Sequence, residues 1–237
     1  MLDKAILVVA HPDDEVLWFS SILREVGKII IAFKDYDAVP GLGARREAAM
    51  AELPYAHLTC LGIAEAGSLK RANWDDPMPT GYGIALDAPV EARLRYEENF
   101  GRLCAALAAE LRSATDVFTH NPWGEYGHED HVQVHRAIAS LSASLGFRLW
   151  TPTYYGARSA KLASRYRPAG QPAALRLPID QAFAQSVAEI YERHECWTWT
   201  RNWTWPDEDR FLPGPFRTAS ADEVRLPDEL HFVASEL

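Results

Sequence analysis

Five short apolar runs punctuate the first 153 residues: "AILVVA" (5–10), "KIIIAFK" (28–34), "HLTCLG" (57–62), "DVFTHN" (116–121) and "FRLWTPT" (147–153). Each has the length and composition of a strand. Segments with helical spacing lie between them, around 15–26, 44–53, 92–113 and 130–145. This alternation predicts an α/β fold, a doubly wound and mostly parallel sheet covered by helices on both faces. Two stretches break the rhythm. Residues 63–91, with "RANWDDPMPTGYG", read as a long loop over a site; residues 152–178, rich in Pro and Gly, read as the route to a C-terminal segment.

At 237 residues, 48% of them hydrophobic, the chain can bury a full core, and one domain spanning 1–237 is expected. Twenty-four basic against 33 acidic residues give a formal charge of −9, which disfavours nucleic acid or an anionic membrane as partner and favours a small molecule. No run reaches the roughly 18 apolar residues of a membrane span, and "MLDKAILVVA" meets His11 too soon for a signal peptide. The expected location is the cytoplasm. Cys60, Cys104 and Cys196 have no paired spacing, so neither a disulfide framework nor a thiolate zinc site is indicated. Composition leaves a homo-oligomer open.

The chemistry gathers at two strand ends. "HPDDE" (11–15) follows the first strand immediately, and open α/β sheets bind ligands outside the carboxyl ends of their strands. In a helical turn, His11 and Asp14 project to one side while Asp13 points about 100° away, so a cation held by the pair leaves Asp13 free. The alternative is that the carboxylates cap a helix that Pro12 helps to start, which leaves the histidine unexplained. The second cluster, "HNPWGEYGHEDHVQVH" (120–135), follows the fourth strand and holds four of the eight histidines. Together the clusters offer the three ligands and open position of a catalytic zinc, although imidazole and carboxylate suit Fe or Mn as well. His131 and His135 have the spacing of a zincin helix, but residue 132 is Val where that motif needs Glu.

"AHPDDE" (10–15) together with "GEYGHEDHVQVHRA" (124–137) resembles the paired signature of the PIG-L/LmbE-like family of zinc-dependent N-acetylglucosaminide deacetylases. The similarity in element order covers about residues 1–155; residues 156–237 form a C-terminal segment that would complete the substrate side of a Rossmann-like core. The resemblance implies hydrolysis of the acetamide of an N-acetylated amino-sugar conjugate, releasing acetate and a free amine. It implies His11, Asp14 and His131 as ligands of Zn2+, with Fe2+ or another divalent transition metal as substitute. It makes Asp13 the general base, His128 the imidazolium that polarises the amide and protonates the leaving amine, Asp130 its orienting partner, and Tyr126 a mobile residue over the carbonyl. Glu129 stands where many relatives have proline.

An arginine shortly before a glutamate on the second helix is a further family feature, loosely matched by "GARREAA". It offers Arg45 or Arg46 to a substrate hydroxyl or charge without choosing between them; spacing alone favours a solvated helix face for both. Trp123 is a further candidate substrate contact. His57, His194 and His231 stand apart and read as surface or core residues. His120 could donate to a carboxylate behind the site, and His135 reads as a helix-surface residue. In "CWTWTRNWTW" (196–205) four tryptophans fall at odd positions, which predicts a strand with one aromatic face. That face would be a sugar platform or, with more weight, a cover for the core. Three other activities use the same residues: a different metal-dependent amidase, a phosphoesterase, and a sugar-binding module without catalysis. Retention of His11, Asp13, Asp14, His128 and His131 together argues against the last.

Overall fold

A computed structural model describes residues 2–55, 57–170, 173–220 and 222–234. The five apolar runs are strands: β1 (Ala5–Val9), β2 (Lys28–Phe33), β3 (Leu58–Ile63), β4 (Asp116–Thr119) and β5 (Arg148–Pro152), each parallel to its neighbours among them. Beyond β5 the C-terminal segment adds β6 (Leu175–Pro178) and β7 (Glu208–Pro213), paired antiparallel, so the sheet runs β6-β7-β5-β4-β1-β2-β3. Successive strand residues face opposite ways, and here both faces are buried. Leu7, Val9, Ile29, Ile31 and Phe118 pack on one side; Ile6, Val8, Ile30, Ala32 and Val117 pack on the other.

Helices α1 (Asp14–Trp18), α2 (Leu42–Glu52), α3 (Val90–Glu110) and α4 (Glu129–Leu145) follow the predicted order, with a short α5 (Ala160–Ala163) and α6 (Gln181–Arg193) in the C-terminal segment. Leu103, Leu107, Val134 and Ile138 of α3 and α4 cover the second face, while Val187 and Tyr191 of α6 help cover the first. The expected helix over 15–26 is shorter. Trp18 packs towards Tyr154 while Phe19 stacks on Phe211, and Phe19 takes φ −139°, which ends α1 before a 3-10 turn at Ser20–Ile22.

Residues 63–91 are largely irregular, with one small antiparallel pair (Pro79–Thr80 with Gly83–Ile84), and they lie along α4, where Gln133 Nε2 donates to Tyr82 O. The strand expected at 196–205 does not form. Its backbone groups would need a ladder partner, but the sheet ends at β6 and β3; instead the chain turns at Arg201 and Asn202, with Trp203 N–H donating to Thr200 O. The sheet's order reverses between β1 and β4, so the two chemistry-bearing turns leave adjacent strands at the topological switch point.

Candidate metal centre

After β1 the chain turns sharply. Asp13 takes φ 98°, a left-handed conformation that costs a non-glycine residue energy, and α1 starts at the next residue. After β4, residues 121–127 form a compact turn around the Asn121 side chain, whose Oδ1 accepts Glu125 N–H at 2.9 Å while Nδ2 donates to Tyr154 O at 2.9 Å. Gly124 (φ 68°) approaches so closely that a Cβ there would meet His128 O at 2.5 Å. His128 then caps α4, its Nδ1 accepting Asp130 N–H at 3.1 Å. These turns bring His11, Asp13, Asp14, His128, Asp130 and His131 together, all buried.

Three overlapping donor sets have ligand atoms within 4.8 Å of one another: His11, His128 and His131; Asp14, His120 and His131; and His11, Glu65 and Asp130. Hydrogen bonding shows which lone pairs remain available. His131 Nδ1 lies 2.7 Å from Glu125 Oε2, which takes the ring proton there; Nε2 is buried without a hydrogen-bond partner and faces Asp14 Oδ1 at 3.2 Å. His11 Nε2 lies 3.3 Å from Asp130 Oδ2, which leaves Nδ1 facing Asp14 Oδ2 at 3.3 Å. His120 Nε2 is already engaged by Ala10 N–H at 2.8 Å, and Glu65 by Arg46 at 2.8 Å. Asp14 also accepts, Oδ2 from His11 N–H at 2.8 Å and Oδ1 from Trp18 Nε1–H at 3.1 Å. A carboxylate oxygen keeps a further lone pair, so its two oxygens can still face His11 Nδ1 and His131 Nε2. The inward-facing acceptors with a lone pair to spare are His11 Nδ1, the Asp14 carboxylate and His131 Nε2. Imidazoles backed by carboxylates around a shared centre suit a divalent transition metal.

The electrostatics favour a cation at the same place. Burial opposes the charged form of both rings, yet Glu65, Asp130 and Asp14 raise His11 to about 10, and Asp14 with Glu125 raises His131 to about 9. Asp14 is held well below the usual carboxylate range, despite burial, by His131, His11 and His120; His120 and His131 likewise hold Glu125 down at about 2.

Asp13 is different. Burial and the Asp14 charge push it up to about 7, against the lowering effect of Thr198 and Arg46. Its Oδ2 accepts from Thr198 N–H at 2.8 Å and Thr198 O–H at 2.6 Å. Glu15, pushed up to about 8 by burial, joins Asp13 N–H (3.0 Å) to the Tyr191 hydroxyl (2.6 Å).

His128 stacks on His131 with ring centres 4.6 Å apart. Burial, followed by the neighbouring His131 and His11, pushes its pKa well below the ordinary histidine value, and Nδ1 is occupied as an acceptor. With Nδ1 accepting Asp130 N–H, the tautomer that fits this geometry carries its proton on Nε2; the imidazolium that the resemblance implies would give up that bond. Asp130, expected to orient or tune His128, meets its Nδ1 through the backbone N–H, while its carboxylate accepts from Ser68 Oγ at 2.7 Å and backs His11. Tyr126 is buried with its ring 5.5 Å from His131 and 4.7 Å from Trp199.

The two arginines separate. Arg46 points inward to Glu65 and Lys34 O, contrary to the solvated face expected from spacing, while Arg45 lies outside and donates to Glu195 O. Trp123, expected near substrate, is fully buried, packs with Ile84 and Val132, and donates to Tyr154 O at 2.7 Å. His135, expected on the surface, is buried and bonded to His120 O. His57 and His231 are exposed, whereas His194 is half-buried and pairs with Glu52. Sequence reasoning missed Glu65, Glu125 and Thr198. Glu125 had a local signal, since it lies inside the second motif; Thr198, 185 residues from Asp13, had none.

No family model matches the chain. A curated 1D-myo-inositol 2-acetamido-2-deoxy-alpha-D-glucopyranoside deacetylase of Mycolicibacterium vanbaalenii is 30% identical over 193 residues, covering 68% of this chain and 63% of the relative. Its counterpart in Mycolicibacterium smegmatis is 31% identical over 193 residues, covering 67% and 62%. The chain belongs to the PIG-L/LmbE-like family. It spans less than two thirds of the length of these relatives. The α/β fold is shared with a teicoplanin deacetylase, solved with teicoplanin (TM-score 0.51) and in a zinc-inhibited form (TM-score 0.52). Each of these is 14% identical and covers 92% of this chain and 99% of the other. Among the described residues no helix is long and apolar enough to cross a membrane.

Proposed function

We propose that this chain is a zinc-dependent N-deacetylase that hydrolyses the acetamide of an N-acetylglucosamine-type conjugate to acetate and a free amine. The observation that carries the reading is the convergence of His11 Nδ1, the Asp14 carboxylate and the partnerless His131 Nε2. Asp13 stands beside them with Oδ1 free of hydrogen bonds among the described residues. Those three residues would hold the metal. When bound, zinc supplies the positive charge that acidifies a water and polarises the amide carbonyl.

The protein's own groups do the rest. Asp13 takes the proton from the attacking water on Oδ1, the oxygen that Thr198 leaves free, and gives it up later in the reaction. His128, with Nδ1 fixed by Asp130 N–H, presents Nε2–H as a donor to the developing oxyanion. As the C–N bond breaks, the departing nitrogen takes its proton from Asp13. Tyr126 and Trp199 wall the site and exclude water. Arg46 holds Glu65 behind His11.

The same proposal treats 1–237 as one catalytic domain whose segment 156–237 shapes the substrate side, because Thr198 and Trp199 reach the centre. A charge of −9 fits a small-molecule substrate better than nucleic acid, and three free cysteines fit a reducing cytoplasm. Metal analysis combined with acetate release over a panel of N-acetylhexosamine conjugates tests the reading. Release from at least one conjugate, abolished by a chelator, is expected; phosphate release from phosphoesters without acetate release would replace it.

A further inference from the structure

The segment that failed to form a strand makes the closest contact with the proposed base. Thr198 gives both its backbone N–H (2.8 Å) and its hydroxyl (2.6 Å) to one oxygen of Asp13, and gives nothing to the other. Merely satisfying a buried carboxylate would serve equally well with the donors divided between its oxygens. Placing both on Oδ2 fixes the rotation of the carboxyl group and leaves Oδ1 the only oxygen able to accept a proton. The main chain of Asp13 is tied to the same C-terminal segment through Glu15. Its N–H donates to Glu15 Oε2, and Glu15 Oε1 accepts the Tyr191 hydroxyl of α6. Cys196 N–H donates to Tyr191 O, so the residues that clamp Asp13 are tied together at the end of α6. Without such ties a residue at φ 98° has little reason to keep that conformation.

We infer that Thr198 is a positioning residue for the reaction, a clamp from the C-terminal segment that orients Asp13 and selects its proton-accepting oxygen. The inference rests on the base role proposed for Asp13. It also gives the segment a place in catalysis: the next residue, Trp199, packs its ring 4.7 Å from Tyr126, so one short stretch both aims the base and walls the site.

Thr198→Val removes the hydroxyl donor and keeps shape and backbone N–H; Thr198→Ser restores the donor. For the metal-loaded full chain and the best acetylated conjugate, kcat should fall about 10- to 100-fold in Thr198→Val, as expected for loss of one charge-assisted bond. KM and bound metal should stay near wild type, and Thr198→Ser should recover most of the rate. In an Asp13→Asn background Thr198→Val should cost nothing further, because the group it aims is gone. Wild-type kcat in Thr198→Val, a full additional loss in the double variant, or loss of metal would each overturn the clamp. An active Asp13→Asn enzyme would instead overturn the base assignment, whatever Thr198 does.

Discussion

Asp14 Oδ1 and His131 Nε2 face each other at 3.2 Å, while Glu125 holds the far side of the same ring at 2.7 Å. With the ring proton on the Glu125 side, two lone pairs meet in a buried space, an arrangement that repels unless a cation or a proton lies between them. His11 repeats the pattern, with Asp130 behind the ring and Asp14 in front.

Metal removal should therefore be felt by the fold as well as by activity. The isolated protein is expected to hold close to one equivalent of divalent metal, and a chelator should lower its melting temperature because the ion binds only the folded chain. His11→Ala and Asp14→Ala should each reduce bound metal. Full occupancy in both variants, read by elemental analysis, would show that other residues are the ligands.

Asp13→Asn separates base from ligand. The amide keeps the size of the group but cannot take the water's proton, so kcat should drop by about 10²-fold or more with metal content unchanged. Steady-state rates on metal-quantified protein decide this, and near-normal turnover would remove Asp13 from the mechanism.

The readable part of this protein was local. β1 and β4 show as apolar runs because both their faces are buried, and the polar clusters that end them are contiguous, so the motif residues could be named before their meeting place was known. What joined them to the rest was not local. Arg46 faces inward because Lys34 O and Glu65, in the loop after β3, both meet it. The alternating tryptophans at 197–205 have the period of a strand, but period alone cannot supply a ladder partner. Trp199 and Trp205 are buried by Trp18, Tyr126 and the carbonyl of Val16, contacts that depend on how α6 returns across the sheet.

Glu125→Gln tests the support behind the histidines. One carboxylate oxygen faces both His120 Nδ1 (3.0 Å) and His131 Nδ1 (2.7 Å), and the other accepts Asn121 N–H. A glutamine cannot accept at both ends, so metal affinity should fall by about 10- to 100-fold. Competition with a chromophoric chelator measures it, and an unchanged affinity would reduce Glu125 to a packing role.

Asp209 carries a pH effect remote from the metal. Burial pushes its carboxyl up to about 6, against the lowering influence of Ser21 N–H and the Tyr154 hydroxyl. A folded pKa above the unfolded value of about 3.9 means that the native state holds the proton more tightly. Its contribution is complete below about pH 4 and is lost as pH rises through 6. Between those values the stability of Asp209→Asn relative to wild type should therefore rise with pH. Thermal melts across that window give the slopes, and parallel curves would contradict the assignment.

His128 and His131 stack 4.6 Å apart on the same turn of chain, yet the proposed mechanism gives them opposite work. His131 turns a partnerless Nε2 towards Asp14, as a ligand must; His128 spends Nδ1 on Asp130 N–H and is left with Nε2–H, a donor that cannot give the same nitrogen's lone pair to a metal. His131→Ala should lose metal and activity together. His128→Ala should keep metal and lose about 10²-fold or more in kcat, the scale expected for removing one oxyanion donor. His128→Gln, which restores an N–H of similar reach, should recover part of that rate, whereas His131→Gln should not recover tight metal binding. If His128→Ala arrives without metal while His131→Ala retains it, the lone-pair assignment made from Glu125 and Asp130 is reversed.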